Sequence, residues 1–145
     1  MAITTNNIFS ESYAEVQSFL NGISDLDPRG RYKTNWIHAS MPNINSKGFD
    51  GYPFIVLSIG VGESNPSFDF TVSEKTFRVL INIWSPQSTD IDSIADKIFQ
   101  NLKEVTKLTA FDVTNLEMSP FNWDLDQNGK KILYRSVNLI ARKRI

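Results

Sequence analysis

Phe9, Tyr13, Val16, Leu20 and Ile23 recur at steps of four and three residues, the spacing that gathers side chains on one helix face. Ile8 and Phe19 widen that stripe, while Glu11, Glu15, Gln17 and Ser18 lie mostly off it. With Thr4, Thr5 and Asn6 as candidate N-caps and Asn21-Gly22 as a stop, the pattern predicts a helix over about residues 5–22. A second stripe, Ile91, Ile94, Ala95, Ile98 and Leu102, has Asp90, Asp92, Asp96, Lys97, Gln100 and Lys103 mostly opposite it. Thr89, three residues ahead of Asp92, resembles a capping box with Asp in place of Glu. Asp90 and Asp92 at the helix start and Lys103 at its end suit the helix dipole.

Between the two helical stripes the period changes to two. Residues 53–61 form a near-continuous β-branched and aromatic run, which predicts a central strand buried on both faces. A turn is expected at residues 62–67, followed by a half-buried strand in which Phe68, Phe70 and Val72 alternate with Asp69 and Thr71. Phe77, Val79, Ile81 and Ile83 alternate with Arg78, Leu80 and Asn82 in a further strand, ended by Ser85-Pro86. Residues 25–31 are turn-rich, residues 34–38 suit a short strand, and residues 42–52 form a long loop rich in Asn, Gly and Ser. Loops this long in compact domains tend to be functional or disordered; this one is the best candidate for a surface that orders against a partner, with Ile44, Lys47, Phe49 and Tyr52 as candidate interface residues.

The C-terminal part reads as a hairpin. Asn128-Gly129 suits a two-residue type I′ turn, which needs positive φ at both positions. Pairing outward from it sets Leu125 opposite Ile132, Trp123 opposite Tyr134 and Phe121 opposite Ser136, with Leu133, Val137, Leu139 and Ala141 on the other face. Large residues on both faces suggest that a helix or a neighbouring subunit covers one of them. The order helix, strands, helix, hairpin predicts an α+β fold over residues 1–145: two helices packed on a mainly antiparallel sheet with a C-terminal β-hairpin, in a single domain.

Composition narrows the classes of function. A chain of 145 residues fits one domain, and 41% hydrophobic with 21% charged residues is ordinary for a globular protein. The net charge of −1 and pI near 5.8 give no bulk electrostatic case for nucleic acid. The most basic stretch, Arg142-Lys143-Arg144, suits a solvated strand end, with Arg142 and Arg144 as candidates for a C-terminal interface. There is no cysteine, hence no disulfide, thiolate nucleophile or Cys-based zinc site. Residues 1–7 lack the pattern of a signal peptide, and no apolar run approaches a bilayer span, so a soluble protein made in the cytoplasm is expected.

Candidate chemistry is sparse. His38 is the only histidine, which rules out multi-histidine metal sites and leaves a structural role as the simpler reading. No phosphate-binding glycine loop, dinucleotide fingerprint or nucleophile elbow is present. Asp124-x-Asp126-x-Asn128-Gly129 matches the first half of an EF-hand loop, but Arg135 stands where the bidentate Glu belongs, and a hairpin turn accounts for the same residues. Trp36, Trp84 and Trp123 suit core or subunit packing better than ligand stacking. No cofactor and no metal are expected.

Taken in order, the leading amphipathic helix, the Pro-bearing run Gly51-Tyr52-Pro53-Phe54-Ile55-Val56-Leu57, the alternating strand 77–84, the helix 91–102 and the closing Tyr134-Arg135-Ser136-Val137 resemble the tail terminator and tail-completion (neck) proteins of long-tailed bacteriophages. The resemblance spans most of the chain as an order of elements and carries over no functional residue. It implies a non-enzymatic virion protein, assembled in the host cytoplasm. Its subunits would form a ring, usually a homohexamer, that caps the tail tube, ends tube polymerisation and meets the head–tail connector. The expected partners are therefore other copies of the chain, the tail tube protein and connector proteins, without sequence-specific nucleic acid or membrane. A head-closure protein and a small cytoplasmic adaptor that binds proteins by strand addition are the alternatives.

Overall fold

The computed structural model describes residues 8–23, 25–30, 36–66, 72–104 and 112–144, with the side chains of 13–23, 25–30, 36–60, 78–102 and 115–141. The elements run α1 (Ile8–Asn21), β1 (Ile37–His38), β2 (Phe54–Pro66), β3 (Val72–Ser85), α2 (Ser88–Glu104), β4 (Asp112–Met118), β5 (Asn122–Leu125) and β6 (Lys131–Arg144). The candidate caps Thr4, Thr5 and Asn6, the strand residues Thr34 and Asn35, and Phe68 and Phe70 lie outside the described residues.

The strands form one six-stranded sheet in the order β1-β2-β3-β6-β4, with β5 also pairing β6. The β1–β2 pair is parallel and every other pair is antiparallel. This is the expected α+β architecture. Alternation divides the sheet into two faces. Ile55, Leu57, Val79, Ile81, Ile83, Val137, Leu139 and Ala141 point to one face and are buried against Val16 and Leu20 of α1 and Ile91, Ile94, Ala95, Ile98 and Leu102 of α2. α2 therefore buries the stripe that its spacing predicts. Among the described side chains α1 buries Val16 and Leu20, with Tyr13, Phe19 and Ile23 partly buried beside them, whereas the side chains of Ile8 and Phe9 lie outside the described residues. This apolar layer is the principal core.

Several expectations need correction. Residues 62–66 are not a turn: β2 runs through them to Pro66 and pairs with β3, with register shifts between Val61 and Ser64 and between Asn65 and Pro66. Bulges admit Gly, Ser and Asn to a strand, and Pro is tolerated where a strand ends. β3 begins at Val72, the last residue of the strand expected at 68–72, and runs on through the strand expected at 77–84, while residues 68–71 lie outside the described residues. Among its described side chains, β2 is buried on both faces only at Phe54 and Ile55; farther along, Leu57 is buried while Val56 is half-buried and Ser58 exposed. β4 is an additional strand, whose period-two pattern is broken by the register shift between Val113 and Asn115.

The helix α2 starts at Ser88, so Thr89 belongs to its first turn and does not act as the cap. The Ser85 hydroxyl accepts the Gln87 N–H at 3.1 Å just ahead of that turn. Asp92 does not reach back either, because its carboxylate pairs with Arg135 at 2.8 Å.

The turn between β5 and β6 is also not type I′. Asp126 N–H donates to the Lys130 carbonyl at 2.8 Å and Gly129 N–H to the Asp126 carbonyl at 3.0 Å. Gly129 has φ 77°, whereas Asn128 is not among the residues with positive φ. That is a three-residue loop closed by a glycine bulge, built on a type I turn. Asp126 selects it, since its Oδ1 accepts the N–H groups of Asn128 at 2.8 Å and Lys130 at 2.9 Å. The register consequently moves by one: Leu125 faces Lys131, Asp124 faces Ile132, Trp123 faces Leu133 and Asn122 faces Tyr134.

Candidate interaction surface

Across the face of the sheet opposite the helices, Phe54, Trp84 and Tyr134 occupy one register line on β2, β3 and β6. Trp84 stacks on Tyr134 at 4.4 Å between ring centroids and on Phe54 at 6.3 Å. The long loop then folds over the start of this line. Tyr52 stacks on Phe54 at 5.5 Å, and Phe49 meets Tyr52 and Phe54 edge-on at 5.6 and 5.8 Å. Phe54 is fully buried as a result, and Ile132 is buried on the same face. Edge-to-face and offset stacks of this kind suit the quadrupoles of the rings.

The loop is anchored at both flanks. On one side Arg29 donates to the carbonyls of Asp50 at 2.5 Å and Tyr52 at 3.2 Å. Gly51, at φ 85°, makes room for this: a Cβ there would come within 2.7 Å of the Arg29 guanidinium. On the other side Gln127 accepts the Ile44 N–H at 2.9 Å and donates to the Pro42 carbonyl at 3.2 Å. The Tyr52 hydroxyl lies 3.5 Å from Asp126 Oδ2. Burial raises the Tyr52 pKa, with the nearby Asp126 charge and hydrogen bond acting in the same direction.

The four candidate residues of the loop thus divide. Phe49 and Tyr52 pack inward and Ile44 is half-buried, whereas Lys47 is exposed. The backbone of Arg142 and Arg144 pairs with β3 in the sheet, opposite Thr76 and Glu74, and their side chains lie outside the described residues. His38 sits on β1, half-buried, edge-on to Phe54 at 5.9 Å. Asp124 and Asp126 spend Oδ1 atoms on local N–H groups, Leu125 for the first and the turn for the second, which accounts for the acidic repeat through hairpin geometry. Among the described residues no three His, Cys, Asp or Glu side chains are grouped to hold a metal, and no helix is long and apolar enough to cross a membrane.

Among the described residues the most exposed apolar surface lies on the hairpin. Trp123 is 62% exposed, Leu125 57% and Phe121 39%. In the register observed, Trp123 faces Leu133 and Leu125 faces Lys131, so both project on the helix side of the sheet at its β5 edge. The Lys131 ammonium lies 5.6 Å from the Trp123 ring centroid and the Arg135 guanidinium 4.6 Å from that of Phe121. Sequence reading senses that large residues occupy both hairpin faces, but the one-residue register error assigns Trp123 to the face of Tyr134, where it would be covered.

The neighbouring backbone edges are partly closed. Leu116 N–H on β4 donates to the Asn115 side chain at 2.9 Å, and Leu125 N–H on β5 donates to that of Asp124 at 2.8 Å. Together with the β4 bulge, these local bonds discourage an added strand along that side. Side chains, not backbone, are what this edge offers. Comparison with protein-family models and with curated proteins gives no match to this chain.

Proposed function

We propose that this chain is a structural assembly subunit of the tail-terminator type, which forms a ring on the end of a phage tail tube, stops further polymerisation and meets the head-side connector. The observation that carries this reading is the Phe121–Trp123–Leu125 surface on a hairpin held rigidly by its turn and by the loop over the sheet. Three large apolar side chains exposed side by side are the composition of an interface core, rich in aromatic residues and bordered by basic ones. A ring requires two different complementary surfaces on each subunit, and a single-domain α+β block with distinct lateral edges suits that demand. No catalytic step is assigned to it.

Electron microscopy of the purified protein tests the reading together with a tube-growth assay. Discrete rings that bind tube ends and halt elongation are expected. A protein without rings that leaves tube growth unchanged contradicts it.

One feature favours a second reading, an adaptor that accepts a partner's strand: β2 beyond Val56 has no partner on its β1 side among the described residues. That reading predicts a monomer with one preferred peptide partner.

A further inference from the structure

The dipeptide Asn-Gly occurs twice in the chain, at Asn21-Gly22 and at Asn128-Gly129. In such a pair the glycine nitrogen can reach the side-chain carbonyl carbon of the asparagine, because glycine has no Cβ to obstruct the approach. Reaction needs an asparagine side chain free to turn toward that nitrogen and a glycine N–H that can give up its proton to solvent base. The two pairs differ in both respects. Asn21 ends α1, half-buried, with its side-chain oxygen enclosed. Gly22 N–H is held by two carbonyls, those of Ser18 at 3.0 Å and Phe19 at 3.1 Å, close to the core residue Leu20. Asn128 is exposed at the hairpin tip, and its side chain makes none of the hydrogen bonds that close the turn. Gly129 N–H donates to the Asp126 carbonyl at 3.0 Å, and nothing lies within 4 Å of where a Cβ would stand.

We propose that Asn128 is a site of spontaneous deamidation in the folded protein, selected over Asn21 by the structure, and that its conversion to isoaspartate disables the β5–β6 hairpin. Release of Gly129 from Asp126 frees the reactive amide, and opening an exposed turn costs less than opening a helix end packed on the core. The Gly129 nitrogen then gives its proton to solvent base and bonds to Asn128 Cγ. The Cγ–Nδ2 bond breaks and ammonia leaves, which closes a five-membered succinimide. Water opens this ring at Cγ to give aspartate, or at the main-chain carbonyl carbon of residue 128 to give isoaspartate. One water is consumed and one ammonia released, with no change of oxidation state.

Isoaspartate adds one methylene to the main chain inside a loop that has no slack. Asp126 N–H donates to the Lys130 carbonyl at 2.8 Å, its carbonyl accepts Gly129 N–H at 3.0 Å, and its Oδ1 accepts the N–H groups of Asn128 and Lys130 at 2.8 and 2.9 Å. An extra backbone atom displaces Gly129 and Lys130 from Asp126, so these bonds cannot all survive. The register that sets Trp123 opposite Leu133 starts from this turn, and the exposed apolar surface is lost with it. Aspartate leaves the chain length unchanged and fits the turn, since Asn128 does not have positive φ. The modification stands apart from the ring reading; only its effect on assembly rests on that reading.

Full-length protein aged in mildly alkaline buffer, folded and in denaturant, tests this, with peptide mapping by mass spectrometry to follow ammonia loss at each asparagine. In denaturant Asn21 and Asn128 are expected to react at comparable rates. In the folded protein Asn128 is expected to react at least about tenfold faster than Asn21, as an exposed turn opens more readily than a core-packed helix end. Asp126→Ala, which removes the side-chain bonds of the turn, should accelerate Asn128 and leave Asn21 unchanged. Equal rates at the two sites in the folded protein, or an Asn128 that survives there although it reacts in denaturant, overturn the site. Isoaspartate-containing protein, identified by isoaspartyl methyltransferase labelling, should exchange the Asp126 and Lys130 amides faster, whereas Asn128→Asp should not. Unchanged exchange in the isoaspartate form overturns the disabling of the hairpin. Where the wild type forms rings, the isoaspartate form should sediment lighter; a wild type that remains monomeric overturns the ring reading and leaves the site standing.

Discussion

Gln127, at the tip of the β5–β6 hairpin, hydrogen-bonds the backbone N–H of Ile44, 83 residues earlier in the chain, at 2.9 Å. Its amide nitrogen also donates to Pro42, so one side chain clamps the loop that covers Phe54. The loop and the hairpin are thereby a single unit, and the exposed Trp123 and Leu125 project from a fixed support.

Gln127→Ala removes both bonds. The expected loss is about 1 kcal/mol, because hydrogen bonds at exposed sites exchange readily with water. Chemical denaturation measures that loss. Hydrogen exchange should show faster exchange at the Ile44 amide and unchanged exchange in β3.

The turn makes a second prediction. Gly129→Ala places a side chain at φ 77°, where nothing lies within 4 Å of the new Cβ, so the cost is backbone strain alone, about 1–2 kcal/mol. Asn128→Ala should cost under about 0.5 kcal/mol, since Asn128 does not have positive φ. A type I′ turn would make both positions sensitive.

That contrast shows how far the sequence could be read. Both helices and the core residues of β3 and β6 were legible, because Val16 with Leu20, Ile94 with Ile98, and Ile81 with Ile83 obey clean periods. The hairpin register was not, because Asp126 outcompetes the Asn-Gly signal by bonding two turn amides. β4 was hidden by its bulge, and the exposure of Trp123 depends on the register that the turn sets.

Arg135 supplies a third prediction. Its guanidinium pairs with Asp92 at 2.8 Å, donates to the Ser119 carbonyl at 2.7 Å and covers Phe121. The ion pair is partly exposed and contributes little by itself, about 0–1 kcal/mol. Arg135→Met loses all three contacts and should cost about 2 kcal/mol. Asp92→Asn should cost under about 1 kcal/mol. Denaturation of the two single variants and the double variant measures the coupling.

Stability should fall in alkali. Burial, reinforced by Asp126, raises the Tyr52 pKa above its ordinary value of 10.0, and burial raises that of Tyr13 as well. The folded protein therefore holds these protons more tightly than the unfolded chain. That contribution is complete below pH 10.0 and is lost as the pH rises through the folded value. Tyr52→Phe should flatten the decline only in part, leaving the share of Tyr13, as equilibrium unfolding at a series of alkaline pH values would show.

The central claim is that the chain works by assembling with copies of itself. Sedimentation velocity of the full-length protein over a wide concentration range tests it most directly. The account predicts a discrete species near a sixfold multiple of 16.5 kDa, reduced toward the subunit mass by Trp123→Ser/Leu125→Ser with the fold intact. A wild-type protein that sediments as a 16.5 kDa monomer at every concentration contradicts it.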